Sequence, residues 1–393
     1  MPQPKPGTAV SPSNPSDPFQ LNAIARRAIV QNAQLMRQQV FSGTFNPANQ
    51  TVIPIVPQNV GLLLGFWVKI SATVTAASAT TMSLTNFATA NLLQNLYYTD
   101  LQNNVRINTS GAHINMLNSI RQGRPFCSST SSDAPEGYGS NWTVNSAPSS
   151  ISDTNPHTIQ QWFYIPLAYS RSDLTGAVYM GVTNATSNMQ ITIPTSAQAG
   201  IASGDQLTAI YTGNTLTLSN VAVTVIQEYY DQLPINQKTG YPILPPIDLN
   251  TLYNLQNASF VGMVTGQDFY IGYGNFRRYL AQIVLYDNGG TYNVGSDLNY
   301  IGIQTANNTF LQKMTPDLWA AIARQRLLTD LPKGAYLIES RQKQIFTQAS
   351  GNTNVVMNAS TVNSNAQFIV YSEFFQSVQN LVNPAVGSLP ANA

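Results

Sequence analysis

The chain has 393 residues and is 43% hydrophobic and 10% aromatic, enough for more than one buried core. Only 9% of residues are charged, with 18 basic against 17 acidic, so the basic density of a general nucleic-acid binder is missing and no direct sequence-specific nucleic-acid binding is expected. A single cysteine, Cys127, excludes an intrachain disulfide, and a surface this poor in charge suits a protein that buries much of itself against other copies.

Residues 1–17 carry five prolines among Ser, Asn and Gly and read as a flexible arm without an apolar signal segment. Asp17-Pro18-Phe19-Gln20 has the form of a helix start, with a capping carboxylate, proline in the first turn and a glutamine that can close a capping box. The spacing predicts an amphipathic helix over 18–40, with Leu21, Ile24, Ala25, Ala28, Leu35 and Met36 along one side. Arg26, Arg27 and Arg37 make it basic and are the candidate interface or membrane-facing residues, with docking on the same or a neighbouring chain favoured because the apolar face is modest.

From residue 44 the pattern changes to short β-branched, partly alternating runs. The longest apolar run, residues 60–68, has nine residues, too short for a membrane-spanning helix of about 20. Residues 65–75, 92–98, 161–167, 189–194, 215–218 and 221–230 read as further strands separated by Asn, Gly, Ser and Pro turns. This is the grammar of a β-sandwich or jelly roll, expected over 44–232. Residues 123–160 form a long polar excursion, with Tyr138 and Trp142 as candidate anchors. A proline-rich linker follows at 233–248, and the β pattern restarts over 249–378 before a C-terminal arm at 379–393. One helix interrupts the second half at 315–330, capped by Thr315 and Pro316, and a shorter counterpart is expected at 111–123. Leu96-Tyr97-Tyr98-Thr99-Asp100 and Ile283-Val284-Leu285-Tyr286-Asp287 echo one another, and with the linker between them they point to two tandem copies of one sandwich.

No nucleotide loop, H-E-x-x-H or C-x-x-C occurs, and two histidines with one cysteine argue against structural zinc. Glu228 with Asp231, or Asp287 with Asp297, are the carboxylate pairs a hydrolase would need. Their turn-like surroundings favour backbone capping over catalysis or calcium binding, so no cofactor, metal or enzymatic activity is expected.

Residues 276–300, 315–334, 244–257 and 165–178, together with T-F-N-P-A-N at 44–49, resemble the double jelly-roll major capsid protein of tectiviruses, tailless bacteriophages with an internal membrane. The resemblance implies an all-β fold of two tandem eight-stranded jelly rolls, with an N-terminal helix and a helix inserted in the second half. It implies a homotrimer of pseudo-hexagonal outline that meets neighbouring trimers in an icosahedral virion shell, assembled in the host cytoplasm. It also implies contact of the N-terminal region with viral membrane lipid, and vertex or minor capsid proteins as further partners. The alternative reading is a carbohydrate-binding or adhesive β-sandwich, with Tyr138 and Trp142 lining a shallow site.

Overall fold

The computed structural model describes residues 17–122, 147–181, 186–204, 207–290, 292, 296–305, 309–327, 331–339, 345–346 and 353–378. Helix α1 (Pro18–Asn32) starts as its residues dictate: the Asp17 carboxylate accepts the Phe19 N–H at 3.0 Å, and Pro18 occupies the first turn. It ends earlier than the expected residue 40. Ala33 is extended, and Gln34–Phe45 is a strand, β1. The glutamine-rich sequence there is compatible with a helix, but eleven residues from Gln34 to Phe45 find partners on Asp231 to Val221, and tertiary pairing overrides local preference. The first set of strands therefore begins at 34 rather than at 44.

Seven more strands complete that set: β2 (Val52–Ile55), β3 (Leu62–Ala76), β4 (Asn95–Thr99), β5 (Val105–Thr109), β6 (His157–Pro166), β7 (Asn188–Thr192) and β8 (Leu216–Asp231). They form two sheets, ordered β1-β8-β3-β6 and β2-β7-β4-β5. The second set is β9 (Thr251–Val261), β10 (Asp268–Gly272), β11 (Arg277–Asp287), β12 (Leu298–Gln304), β13 (Phe310–Met314), β14 (Ala335–Glu339), β15 (Asn354–Ala359) and β16 (Gln367–Ser377). Its sheets are ordered β9-β16-β11-β14 and β10-β15-β12-β13. Adding eight to each strand number of the first set reproduces the second, so the chain is all-β and carries the same eight-stranded jelly roll twice.

Each roll has its own core because its strands alternate. Along β3, Phe66, Val68, Ile70, Ala72 and Val74 are buried while Trp67, Lys69, Ser71 and Thr73 are only half-buried. Burying each large apolar side chain contributes about 1.5–3 kcal/mol. In each roll a helix joins the fifth strand to the sixth: α2 (Gly111–Gln122) and α3 (Pro316–Leu327), twelve residues each. The expected helices at 111–123 and 315–330 thus occupy equivalent places; residues 123 and 328–330 lie outside the described residues.

The echo between Asp100 and Asp287 does not mark equivalent positions. Asp100 follows β4 and Asp287 ends β11, the fourth strand of one roll and the third of the other. Between the rolls, residues 233–248 make one bridge, Ile235 to Pro242, and lead into a helical turn at Pro246–Leu249. Of the expected 123–160 loop, residues 147–160 include a short strand, Ser150–Ile151, and the start of β6. Tyr138, Trp142 and Cys127 lie outside the described residues, as do the arms at 1–16 and 379–393.

Candidate assembly surfaces

Helix α1 is fixed by polar contacts as much as by packing. Asn22, Ala25 and Ile29 face the protein, with Ile29 in a cluster with Leu62, Leu64, Leu174 and Tyr230. The Asn22 amide donates to the Asp248 carboxylate at 2.9 Å, and its oxygen accepts the Ile247 N–H at 2.9 Å. Arg26 binds both Asp248 oxygens, Nε at 2.7 Å and Nη2 at 2.5 Å, and lies 3.1 Å from Asp173. Asp248 is the first cause of the rise in the Arg26 pKa, against the opposing effect of burial. Arg26 is therefore an anchor that ties α1 to the turn before the second roll. Arg27 is exposed, beside Leu21 and Ile24, which are 46% and 55% exposed. The outward side of α1 is an apolar strip with one cation, the reverse of the expected orientation, in which Leu21 and Ile24 would share the buried side with Ala25.

Arg37 is not on the helix. On β1 it stands opposite Glu228 of β8 and donates to its carboxylate at 2.7 Å. Arg171 grips the same carboxylate with two bonds of 2.9 Å, and Trp67 Nε1 donates at 3.2 Å. Burial alone would push the Glu228 carboxyl up; Arg171, Arg37 and Trp67 outweigh it and hold it below the ordinary carboxylate value. So the three candidate arginines do not form one basic face. Glu228 is likewise unavailable as a hydrolytic acid, and its proposed partner Asp231 sits exposed at the strand end.

Of the other candidate carboxylates, Asp287 caps a turn through a backbone N–H, and Asp297 accepts from the Asn288 and Ser296 side chains. Asp287 accepts the Gly290 N–H at 2.7 Å and the Gln367 side chain at 3.1 Å, and burial raises its pKa. Asn288 accepts the Asn363 N–H at 2.7 Å and donates to Asp297 at 3.2 Å. Gly289 has φ +70°, and a Cβ there would lie 2.4 Å from the Ser364 carbonyl, so both backbone conformation and space require glycine. Asp100 likewise caps, accepting from Gln102 N and Asn104 N at 2.9 and 3.0 Å. Among the described residues no group of three His, Cys, Asp or Glu side chains could hold a metal ion.

The joint between the rolls is the surface that residue patterns did not reveal. Strand β5, an edge of the first roll, pairs in parallel with β9, an edge of the second, through Ile107 to Leu255 and Asn108 to Gln256. Arg106 is buried at this joint and donates to the carbonyls of Gly176 at 2.6 Å and Tyr253 at 3.1 Å, with Asp100 at 3.5 Å. Helix α2 lies over the outer face of the second roll's β9-β16-β11-β14 sheet. Ala112, Met116 and Ile120 share a cluster with Ala281, Ile283, Leu285, Leu337, Ile369 and Tyr371. His113 stacks on Tyr371 at 4.9 Å, and Arg121 pairs with the buried Glu373 at 2.5 Å. Arg106 and Arg121 look in sequence like ordinary surface cations; the partner roll supplies the Tyr253 carbonyl to one and the Glu373 carboxylate to the other.

Residues 19–233 match the family described as P3 major capsid protein N-terminal, and residues 250–388 match P3 major capsid protein C-terminal. The chain is 41% identical over 367 residues to Major capsid protein P3 of Enterobacteria phage PRD1, covering 92% of both chains. In fold it is similar to the crystal structure of the STIV major capsid protein, with TM-score 0.60 at 12% identity, covering 90% of this chain and 100% of that one. A second fold neighbour is PBCV-1 VP54 as fitted into a reconstruction of the virophage Sputnik, with TM-score 0.52 at 10% identity over 88% of this chain and 94% of that one.

Proposed function

Because the chain belongs to the P3 major capsid protein family, and is thus a structural component of a virion capsid rather than an enzyme, we propose that three copies close into a pseudo-hexagonal capsomer that tiles an icosahedral shell around an internal membrane. The observation that carries this is the single β5–β9 joint. It joins the fifth strand of one roll to the first strand of the next. Among the described residues the same two edges recur unused: β13, the fifth strand of the second roll, and β1, the first strand of the first, each end a sheet. Repeating the joint between chains generates a head-to-tail contact. Two rolls per chain make three such chains six-sided, and rotation can close the ring.

The outward strip of α1, with Leu21, Ile24 and Arg27, is the surface we assign to the membrane side. Its one exposed cation suits anionic headgroups and its apolar residues suit the interface below them. Neighbouring capsomers, held in part by the terminal arms at 1–17 and 379–393, and vertex or minor capsid proteins complete the partner set. Light scattering with negative-stain microscopy of the purified chain tests the capsomer: a trimer of hexagonal outline is expected, and a monomer at assembly concentrations refutes it. Co-sedimentation with anionic vesicles tests the membrane side. Wild-type protein is expected to bind in a salt-sensitive way, and Ile24→Glu with Arg27→Glu to bind several-fold less; equal binding removes this role from α1.

A further inference from the structure

The outer face of the first roll's β1-β8-β3-β6 sheet is a copy of the face that α2 covers on the second roll, and the two can be aligned residue by residue. Two features fix the register. Each third strand carries one extra residue at a bulge, Leu64 in β3 and Leu280 in β11. Immediately beyond it, Gly65 stands opposite Glu228 and Ala281 opposite Glu373, so the two buried glutamates are equivalent. From there the rows follow. Tyr371, Ile283 and Leu337 lie side by side in the second roll, and Ile226, Trp67 and Tyr164 lie side by side in the first. One row further along, Ile369, Leu285 and Ala335 correspond to Thr224, Lys69 and Trp162.

The two faces differ in one respect. All six residues of the second roll are buried in the cluster that contains α2, whereas all six of the first are only half-buried. Among the described residues, no helix lies over Trp67, Tyr164 and Ile226 of the first roll. Meanwhile α3, which stands where α2 stands, carries the opposite deficiency. Both helices have twelve residues, and the fourth residue of each, Ile114 and Trp319, packs into its own roll. The third is His113 in α2, stacked on Tyr371, and Leu318 in α3, which is 47% exposed. Ile322, one turn on, is 36% exposed. At the second position Ala112 is replaced by Asp317, and the equivalent of its cluster partner Leu285 is Lys69, so an apolar pair is exchanged for opposite charges.

We infer that α3 of one copy covers the Ile226–Trp67–Tyr164 face of a second copy, with Leu318 over Ile226 and Asp317 toward Lys69. The inference rests on the trimer proposed above and assigns the surfaces that would hold it. An exposed Leu318 and a half-covered aromatic sheet face occur in one chain, in the positions that meet within that chain at the other joint, so a second copy supplies each with its cover; Ile322, which stands where Leu117 packs into its own roll, adjoins Leu318 on the exposed side. The contact is heterologous, and its closure limits the assembly to a ring.

The test uses the full-length chain with Cys127→Ser and the pair Leu318→Cys and Ile226→Cys. Under oxidation, covalent trimers are expected on denaturing gels, with a disulfide-linked peptide joining α3 to β8. In parallel, Leu318→Glu with Ile322→Glu is expected to convert the trimer to a monomer, seen by light scattering, with an unchanged far-UV spectrum. A trimer that persists in the Glu variant and does not cross-link overturns the assignment while leaving the trimer itself intact. Dissociation of the Glu variant without cross-linking puts α3 against another face and overturns the pairing with Ile226. A wild-type chain that is monomeric removes both the trimer and this surface.

Discussion

His113 shows how one buried side chain can report on the joint between the rolls. Its Nδ1 lies 2.8 Å from Thr109 Oγ1, its ring stacks on Tyr371, and Glu373 and Arg121 are its charged neighbours with opposing effects. Burial pushes its pKa down to about 3. The ordinary value is about 6.5, so between these two values the unfolded chain binds the extra proton and stability is lost as pH falls. The expected slope from this residue is about 1.4 kcal/mol per pH unit within that window. Urea unfolding at pH 7 and pH 5 should show a larger loss for the wild type than for His113→Gln; equal losses would mean the imidazole titrates normally. Gly176 is a second residue with a sharp requirement. Its φ is +92°, and a Cβ would lie 2.4 Å from that of Tyr253 and 2.6 Å from the Leu167 carbonyl. Gly176→Ala is expected to cost about 1–3 kcal/mol by denaturant unfolding, because strain and a clash with the second roll coincide.

At the scale of elements, β3 was readable because its alternation is written in the side chains, and α3 because Thr315, Pro316 and Asp317 announce its start. Strand β1 was not. Gln-Leu-Met-Arg-Gln-Gln-Val satisfies a helix locally, and its strand form depends on β8, nearly two hundred residues away. The Arg37–Glu228 bond is the clearest statement of that dependence, since it pins an edge strand across the ladder. Glu228→Gln keeps the shape and removes the charge that Arg37 and Arg171 share. The expected effect is faster hydrogen exchange across residues 34–45 and a stability loss of about 1–3 kcal/mol. Protection unchanged in β1 would show that backbone pairing alone holds it. The candidate arginines divided for the same reason: Arg26 and Arg37 found carboxylates that no local pattern could reveal, Asp248 and Glu228, while Arg27 stayed exposed.

At the scale of the whole molecule, the duplication was legible but its alignment was not. The Tyr-Asp echo pairs a fourth strand with a third, whereas the matching β-bulges at Leu64 and Leu280 set the true correspondence. Nor could residue types disclose that the two rolls share a core, because Ala112, Met116 and Ile120 form a helix face whose cover lies in β11, β14 and β16. That shared core makes the chain one unit rather than two beads on a linker. The Arg121–Glu373 pair strengthens the case, since separating the rolls would strip the buried Glu373 of its cation, a loss of about 3–5 kcal/mol for such a group, and would also break the bond from Arg106 to the Tyr253 carbonyl. The turn at Asn236–Tyr241 offers a place to test it, because Tyr241 is 74% exposed and a Cβ at Gly240 would meet nothing within 4 Å. A protease site inserted between Thr239 and Gly240 should be cut without releasing either half. The nicked protein is expected to elute as the uncut protein does and to give two bands only under denaturing conditions. Halves that separate on native chromatography would mean that the linker, and not the joint of β5 with β9 beneath α2, holds the two jelly rolls together.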